Sequence, residues 1–161
     1  LISMGANIKI DSIEVVHNEE IGRVIVRGYR ELSPCNIPDD SISSMIDEIP
    51  ILALVCSYTN GESIINGLEE LRYKESDRLT GVYNILKGMG VDIDMSSDSS
   101  LIISGGKNLY NTSNLDNLGD HRLAMVISCT QIIEGQKIDF DDCIKVSFPK
   151  FKDLIEKIMV S

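Results

Sequence analysis

Glu48-Ile49-Pro50-Ile51-Leu52-Ala53-Leu54-Val55-Cys56-Ser57-Tyr58-Thr59-Asn60-Gly61-Glu62-Ser63-Ile64-Ile65 is the stretch on which the fold turns. Ile51, Leu52, Val55 and Tyr58 recur at helical spacing. Pro50 is tolerated only in a first turn, and Asn60-Gly61 stops the run. The spacing predicts a helix over 48–58 and a short strand over 63–65. Downstream, Ser76 can cap a second helix that carries Leu79, Val82, Tyr83 and Leu86 on one face and closes at Lys87-Gly88-Met89-Gly90. Strands follow at 91–95 and 101–104, then a polar loop over 105–119. The pattern then recurs: Leu123-Ala124-Met125-Val126 echoes Leu52-Ala53-Leu54-Val55 and opens a helix over 121–133. Gly135 ends that helix, Ile138 and Phe140 mark a strand, and a last helix runs over 151–160. Upstream, alternating Ile8, Ile10, Ile13 and Val15, then Val24 and Val26, predict strands over 7–16 and 22–27 around a turn at Asn18-Glu19-Glu20. Residues 33–40, with Pro34 and Pro38, read as loop. The order β-β, α-β-α-β-β, α-β-α implies an α/β (α+β) fold with a repeated unit. Its β-β pairs imply mixed sheets.

The chain has 161 residues, which suits a single domain over 1–161, and its 43% hydrophobic and 25% charged residues suit a globular core. The net charge of −10 argues against nucleic acid or an anionic membrane as partner. No 18-residue apolar run is present to span a membrane. Cys35, Cys56, Cys129 and Cys143 show no C-x-x-C spacing, and with only His17 and His121 beside them a zinc site is hard to assemble; no metal is expected. The cysteines read as reduced thiols of a cytoplasmic protein. Leu1-Ile2-Ser3-Met4-Gly5-Ala6 resembles a helix end capped by Gly5, so the chain is expected to begin partway through a larger protein.

Three polar clusters fall at predicted helix entrances: Asp47-Glu48, Arg72-Tyr73-Lys74-Glu75-Ser76-Asp77-Arg78 and Asp120-His121-Arg122. Acidic residues there offset the helix dipole, whereas Lys74, Arg78 and Arg122 oppose it. A departure from local preference of that kind is where a functional site is sought, and basic groups gathered at helix entrances suit a multiply anionic ligand. Each cluster also has a structural reading. Asp47 and Glu48 can be dipole compensation, Lys74 and Arg78 a solvated i,i+4 face, and Asp120-His121-Arg122 a surface cap. His121 with Asp120 is also a conceivable pair of metal ligands.

Met45-Ile46-Asp47-Glu48-Ile49-Pro50 with Leu52-Ala53, Glu69-Glu70-Leu71-Arg72-Tyr73-Lys74-Glu75-Ser76-Asp77-Arg78, Gly119-Asp120-His121-Arg122-Leu123-Ala124-Met125 and Ser147-Phe148-Pro149 form an ordered series. The series resembles the second half of the EPSP synthase family, from Met4 onward. The sister family of UDP-N-acetylglucosamine enolpyruvyl transferases shares the fold but not the K-E-S-D-R and D-H-R-x-A-M segments. The resemblance implies a C-terminal fragment of a two-domain enzyme built from βαββαβ-type units, about two of them in this chain. It implies transfer of the enolpyruvyl group of phosphoenolpyruvate to the 5-hydroxyl of shikimate 3-phosphate, releasing phosphate, a step of aromatic amino-acid biosynthesis without cofactor or metal. By motif, Asp47 matches the base near the 5-hydroxyl, Lys74 a substrate-binding lysine beside it, and Glu75 the acid that protonates the methylene. Arg78 and Arg122 match phosphoenolpyruvate-binding arginines, with Asp120 and His121 at the same end. Addition to an enol ether needs one proton delivered to carbon and one removed from a hydroxyl. Beside Lys74, Glu75 can deliver that proton only in a closed, drier site.

The chain departs from the family's pattern in two ways. Val146 stands where many members place a lysine before the [ST]-F-P segment; Lys145 precedes it and points to the opposite face if the segment is extended. The family's Gly-Asn-Ala-Gly-Thr phosphate loop and early Lys-Ser pair are not in the chain, so the missing N-terminal half is its expected partner and these 161 residues alone are expected to be inactive. The two rival readings are the sister transferase and a non-catalytic α/β module that binds a phosphorylated ligand. In the latter, Asp47, Glu75 and Arg122 would not meet.

Overall fold

The structure, a computed structural model, describes residues 1–28, 31–95, 97–106 and 110–159, apart from the side chains of Ser12 and Ile13. Residues 107–109 of the polar loop and the expected helix end at Val160 lie outside the described residues.

β1 (Ile8–Val16) and β2 (Glu19–Val26) form an antiparallel hairpin. Its turn is His17-Asn18, with φ of 52° and 65°. Two successive left-handed residues are what a two-residue hairpin turn needs to match strand twist. The turn is therefore shorter than the expected Asn18-Glu19-Glu20, and Glu19 and Glu20 pair with Val16 and Val15. Ile8 faces Val26 and Ile10 faces Val24, so the apolar positions share one side of the ribbon.

The main sheet has the order β3 (Asn36–Ile37), β4 (Glu62–Ile65), β6 (Leu101–Ser104), β5 (Asp92–Asp94). β3 runs parallel to β4, and the other neighbours are antiparallel. The sheet is thus mixed, as the sequence pattern implies. The period-2 rule sorts its faces: Ser63, Ile65, Ile93, Leu101 and Ile103 are buried, while Glu62, Asp92 and Asp94 are exposed.

Three helices join that buried face in one core: α1 (Ile49–Ser57), α2 (Arg78–Met89) and α3 (His121–Ile133). Ile49, Ala53, Cys56, Leu71, Leu79 and Leu123 in this core have no exposed surface. Burial of a Leu or Ile side chain contributes about 1.5–3 kcal/mol. Pro50 lies in the first turn of α1, and Gly90, at φ 92°, closes α2. α4 (Phe151–Met159) packs apart from this core, through Phe151 against Ala124, Ile144 and Phe140. Among the described residues no helix is long and apolar enough to cross a membrane.

The strand expected at Ile138 and Phe140 is not formed. Gln131 Oε1 accepts the Asp139 N–H (2.9 Å), and Ser128 donates its hydroxyl to the Asp139 carbonyl (3.4 Å). α3 side chains thus take the backbone groups that a neighbouring strand would have paired. β4, β5 and β6 with α1 and α2 make one α-β-α-β-β unit, and in the described part of its repeat only the helices are regular.

Candidate active site

Three helix entrances converge. A 3-10 turn, Ile46–Glu48, leads into α1 and presents Asp47. A second 3-10 segment, Glu69–Tyr73, ends at Lys74 in extended backbone and brings Glu75 and Ser76 to the start of α2. The cap of α2 is Asp77, not Ser76. Its carboxylate accepts from the Thr80 N–H (3.0 Å) and the Thr80 hydroxyl (2.7 Å). An ionised carboxylate is both cap and counter-charge to the helix dipole. Ser76 instead turns inward and donates to Asp120 Oδ2 (3.1 Å).

Asp120 caps α3, accepting from Arg122 N–H (2.8 Å) and Leu123 N–H (3.4 Å) on Oδ1. The approach to it is unusual. Leu118 and Gly119 are both left-handed, at φ 55° and 71°, a conformation that costs an L residue roughly 1–2 kcal/mol. Side chains supply the compensation: Asp116 Oδ1 accepts Leu118 N–H (2.9 Å), Asn117 Oδ1 accepts Gly119 N–H (2.8 Å), and Asn117 Nδ2 donates to Asp141 (2.9 Å).

Arg78 lies at the centre, in the first turn of α2, and its side chain has no exposed surface. Its Nε donates to Asp120 Oδ2 (3.0 Å), Nη1 to Asp47 Oδ1 (3.0 Å) and Nη2 to Glu75 Oε2. Asp47 is shared: its other oxygen accepts from Arg122 Nη2 (2.7 Å), and its backbone carbonyl from Arg122 Nη1 (3.3 Å). Two guanidiniums therefore meet three carboxylates drawn from three separate segments. A guanidinium fork presents fixed, divergent donors and suits this bridging, where an ammonium does not. Burial acts to raise the Asp120 carboxyl. The Arg78 guanidinium, the Arg122 N–H and the Ser76 hydroxyl outweigh it and hold the group below its ordinary value.

Exposure separates anchor from working surface. The Arg78 and Asp120 side chains are both 0% exposed, whereas Arg122, Asp47 and Glu75 are 29%, 41% and 57% exposed. The outer three reach solvent; the inner two do not. A solvated face for Arg78 and a surface cap for Asp120 are excluded by this burial. Metal ligation by Asp120 is disfavoured too, because Arg78, Ser76 and two N–H groups already occupy its oxygens. Among the described residues no group of His, Cys, Asp and Glu is arranged to hold a metal.

Lys74 and His121 are half-buried neighbours of the cluster and make no hydrogen bond or ion pair with it. Val146 ends a 3-10 segment, Asp142–Val146, and is 82% exposed. The segment is not extended, and Lys145 pairs with Asp142 (2.6 Å). A supporting arginine had no role assigned from sequence. Arg72 donates to the Asp98 carbonyl (3.1 Å) and carboxylate (3.2 Å), to Asp77 (3.1 Å) and to Thr80 (3.3 Å). It thereby ties the β5–β6 connection to the entrance of α2. Its basic charge five residues before the Asp77 cap is the only sequence signal of that role. A cavity of about 140 Å³ beside α2, near Asn84, Gly88 and Leu115, is lined by none of the cluster residues.

A one-sided mixed sheet covered by helices, with arginines and carboxylates gathered where those helices begin, defines an α/β domain with its charged cluster at the helix entrances. The EPSP synthase (3-phosphoshikimate 1-carboxyvinyltransferase) family model matches residues 1–155, and the chain belongs to that family. It is 37% identical over 161 residues to the 3-phosphoshikimate 1-carboxyvinyltransferase of Persephonella marina, covering 99% of this chain and 37% of that protein. It is 39% identical over 160 residues to that of Alkaliphilus oremlandii, covering 98% and 37%. The solved EPSP synthase of Acinetobacter baumannii superposes with a TM-score of 0.88 at 29% identity, over 98% of this chain and 37% of that one. The chain thus spans just over a third of the length of the relatives it matches.

Proposed function

We propose that the chain supplies the C-terminal share of a cytoplasmic enzyme that moves the enolpyruvyl group of phosphoenolpyruvate onto the 5-hydroxyl of shikimate 3-phosphate. The observation that carries this reading is the meeting of Asp47, Glu75 and Arg122, from three distant motifs, around Arg78. Such convergence also favours it over a non-catalytic module that binds a phosphorylated ligand. The K-E-S-D-R and D-H-R-L-A-M segments favour it over the sister transferase.

In this reading Arg122, partly exposed, takes an anionic group of phosphoenolpyruvate, and Lys74 binds substrate near the 5-hydroxyl. Asp47 accepts the proton of the attacking hydroxyl. Glu75 delivers a proton to the methylene carbon. Arg78, matched by motif to a phosphoenolpyruvate-binding arginine, has no exposed side-chain surface; in this reading it orients both carboxylates instead, and Asp120 acts through Arg78. His121 lines the same end. Shikimate 3-phosphate and the rest of the enzyme complete the site, and the chain alone turns over no substrate.

Titration of the chain with phosphoenolpyruvate, followed by backbone amide NMR, tests the half-site. Shifts are expected at residues 74–78 and 120–122 and are lost in Arg122→Ala. Shifts elsewhere, or unchanged in Arg122→Ala, overturn the assignment of Arg122. In the longer enzyme, Asp47→Asn and Glu75→Gln should each lower kcat by about 10²–10⁴-fold. Wild-type kcat in either variant removes that residue from the chemistry.

A further inference from the structure

Cys35 and Cys56 stand 21 positions apart in sequence, yet their sulfur atoms lie 3.6 Å apart. Cys35 immediately precedes β3 and is half-buried; Cys56 sits in the last turn of α1 with no exposed surface. Both backbones are pinned. Cys35 N–H donates to Ser63 Oγ (3.1 Å), and its carbonyl accepts Ile64 N–H (2.9 Å). The Cys56 carbonyl accepts from Thr59 N–H (3.1 Å) and Thr59 Oγ1 (2.8 Å). A disulfide needs its sulfurs at about 2.05 Å, so these two must close by about 1.5 Å, within reach of small side-chain rotations. Cys129 and Cys143 make no such sulfur–sulfur contact among the described residues.

We propose that Cys35 and Cys56 form a reversible intrachain disulfide under peroxide, a modification site that restrains the segment carrying Asp47. Cys35, the more accessible sulfur, reacts first. As thiolate it attacks one peroxide oxygen, the O–O bond breaks, and the departing hydroxide takes a proton to leave as water. The Cys35 sulfenic acid that remains is attacked by the Cys56 sulfur. The S–S bond forms, the S–O bond breaks, and a second water carries away the Cys56 proton. Two thiols lose two electrons in all, and one peroxide becomes two waters. Burial pushes the Cys56 thiol up to about 12, which keeps it from attacking peroxide; its attack on the Cys35 sulfenic acid rests on the 3.6 Å approach of the two sulfurs.

The bridge has a consequence at the candidate site. β3 is held to β4 by only two residue pairs, Asn36 with Ile64 and Ile37 with Ile65. A link from Cys35 to α1 closes the chain between them into a loop, and that loop contains the 3-10 turn that presents Asp47. Oxidation therefore tightens the approach to α1 without touching Arg78, Glu75 or Arg122.

The test uses the chain with Cys129→Ser and Cys143→Ser. It is treated with equimolar hydrogen peroxide, alkylated, digested and mapped by mass spectrometry. A peptide joining Cys35 to Cys56, lighter by two hydrogens and released by dithiothreitol, is expected. With it should come a several-fold slowing of amide exchange over 38–48. Cys35→Ser should abolish the joined peptide. Independent alkylation of both cysteines, separate sulfinic acids, or a bridge only between two chains overturns the proposal. A bridge with unchanged exchange over 38–48 refutes the restraint on Asp47. Should a serine variant fail to fold, peptide mapping of the unmutated chain distinguishes the same outcomes.

Discussion

Removing the guanidinium of Arg78 should destabilise the fold more than any other single charge deletion in the cluster. Arg78→Met deletes three charge-assisted hydrogen bonds while keeping most of the side-chain volume. Two of them, to Asp47 and Glu75, end on carboxylates 41% and 57% exposed, and exposed pairs are worth about 0.2–1 kcal/mol each. The third ends on Asp120, whose side chain is 0% exposed. That carboxylate keeps the Ser76 hydroxyl and two N–H groups but loses its counter-charge, and breaking a buried pair costs about 3–5 kcal/mol. Urea unfolding at pH 7, with an m-value of about 2 kcal/mol/M, should show the midpoint fall by about 2 M. Asp120→Asn keeps the helix cap and removes the charge, so Arg78→Met with Asp120→Asn should recover about 2–3 kcal/mol of the loss. The pH dependence has a definite sign. Asp120 is held below its ordinary value in the fold, so its contribution is complete above about pH 4 and is lost as pH falls through the folded value. The gap between wild type and Arg78→Met should be widest near pH 7 and narrow below about pH 4. A loss under about 1 kcal/mol, strict additivity of the two substitutions, or a gap that widens in acid would mean that the buried Asp120 carboxylate does not depend on Arg78 for its counter-charge.

Gly105→Ala should cost about 3 kcal/mol or more by urea unfolding, because its Cβ would meet the Cys56 and Thr59 carbonyl oxygens at 2.4 Å and that of Ser57 at 2.8 Å. Wild-type stability would mean that the end of β6 does not cross α1 so closely. Phe151→Ala should release α4 alone. Phe151 packs on Phe148 and Phe140 at 5.6 and 6.2 Å in a cluster separate from the main core, while Leu154 and Ile158 are exposed. Amide exchange over 151–159 should become fast while that of α2 is unchanged, and equal acceleration in α2 would place α4 in the global folding unit.

Elements with strong local signals were readable from sequence. α3 runs over the expected 121–133 and β6 over the expected 101–104, each with its own stop signal. The hairpin turn was misplaced because Asn18-Glu19-Glu20 is merely polar, whereas the decisive feature is the left-handed conformation of His17 and Asn18. Ser76 and Asp77 are both good caps by composition. The choice fell to Asp77 because Ser76 is drawn to Asp120 across 44 positions, and no local pattern carries that pull. The strand at Ile138 and Phe140 failed for the same reason: alternation supplies the strand face, but Gln131 and Ser128 took the backbone partner. The cluster residues were visible because arginines at helix entrances oppose the dipole. Their division into a buried anchor and an exposed working edge was not, since burial is set by the packing of distant segments.

That division explains how a small unit can hold several charged groups steady. Arg78 joins three chain segments through one rigid planar group, so Asp47, Glu75 and Asp120 share its position instead of each being set by its own loop. A buried ion pair is weak evidence of net stability, since apolar replacements of similar volume often do as well. What an apolar side chain cannot do is fix the direction of a carboxylate on a neighbouring segment. The cost of desolvating Arg78 and Asp120 is therefore best understood as the cost of orientation. Arg122, two residues beyond the Asp120 cap, receives its backbone position from the same carboxylate that anchors Arg78. Its side chain then returns to Asp47, the residue Arg78 also holds. The loop of contacts closes on itself, so the three helix entrances are tied to one another through side chains.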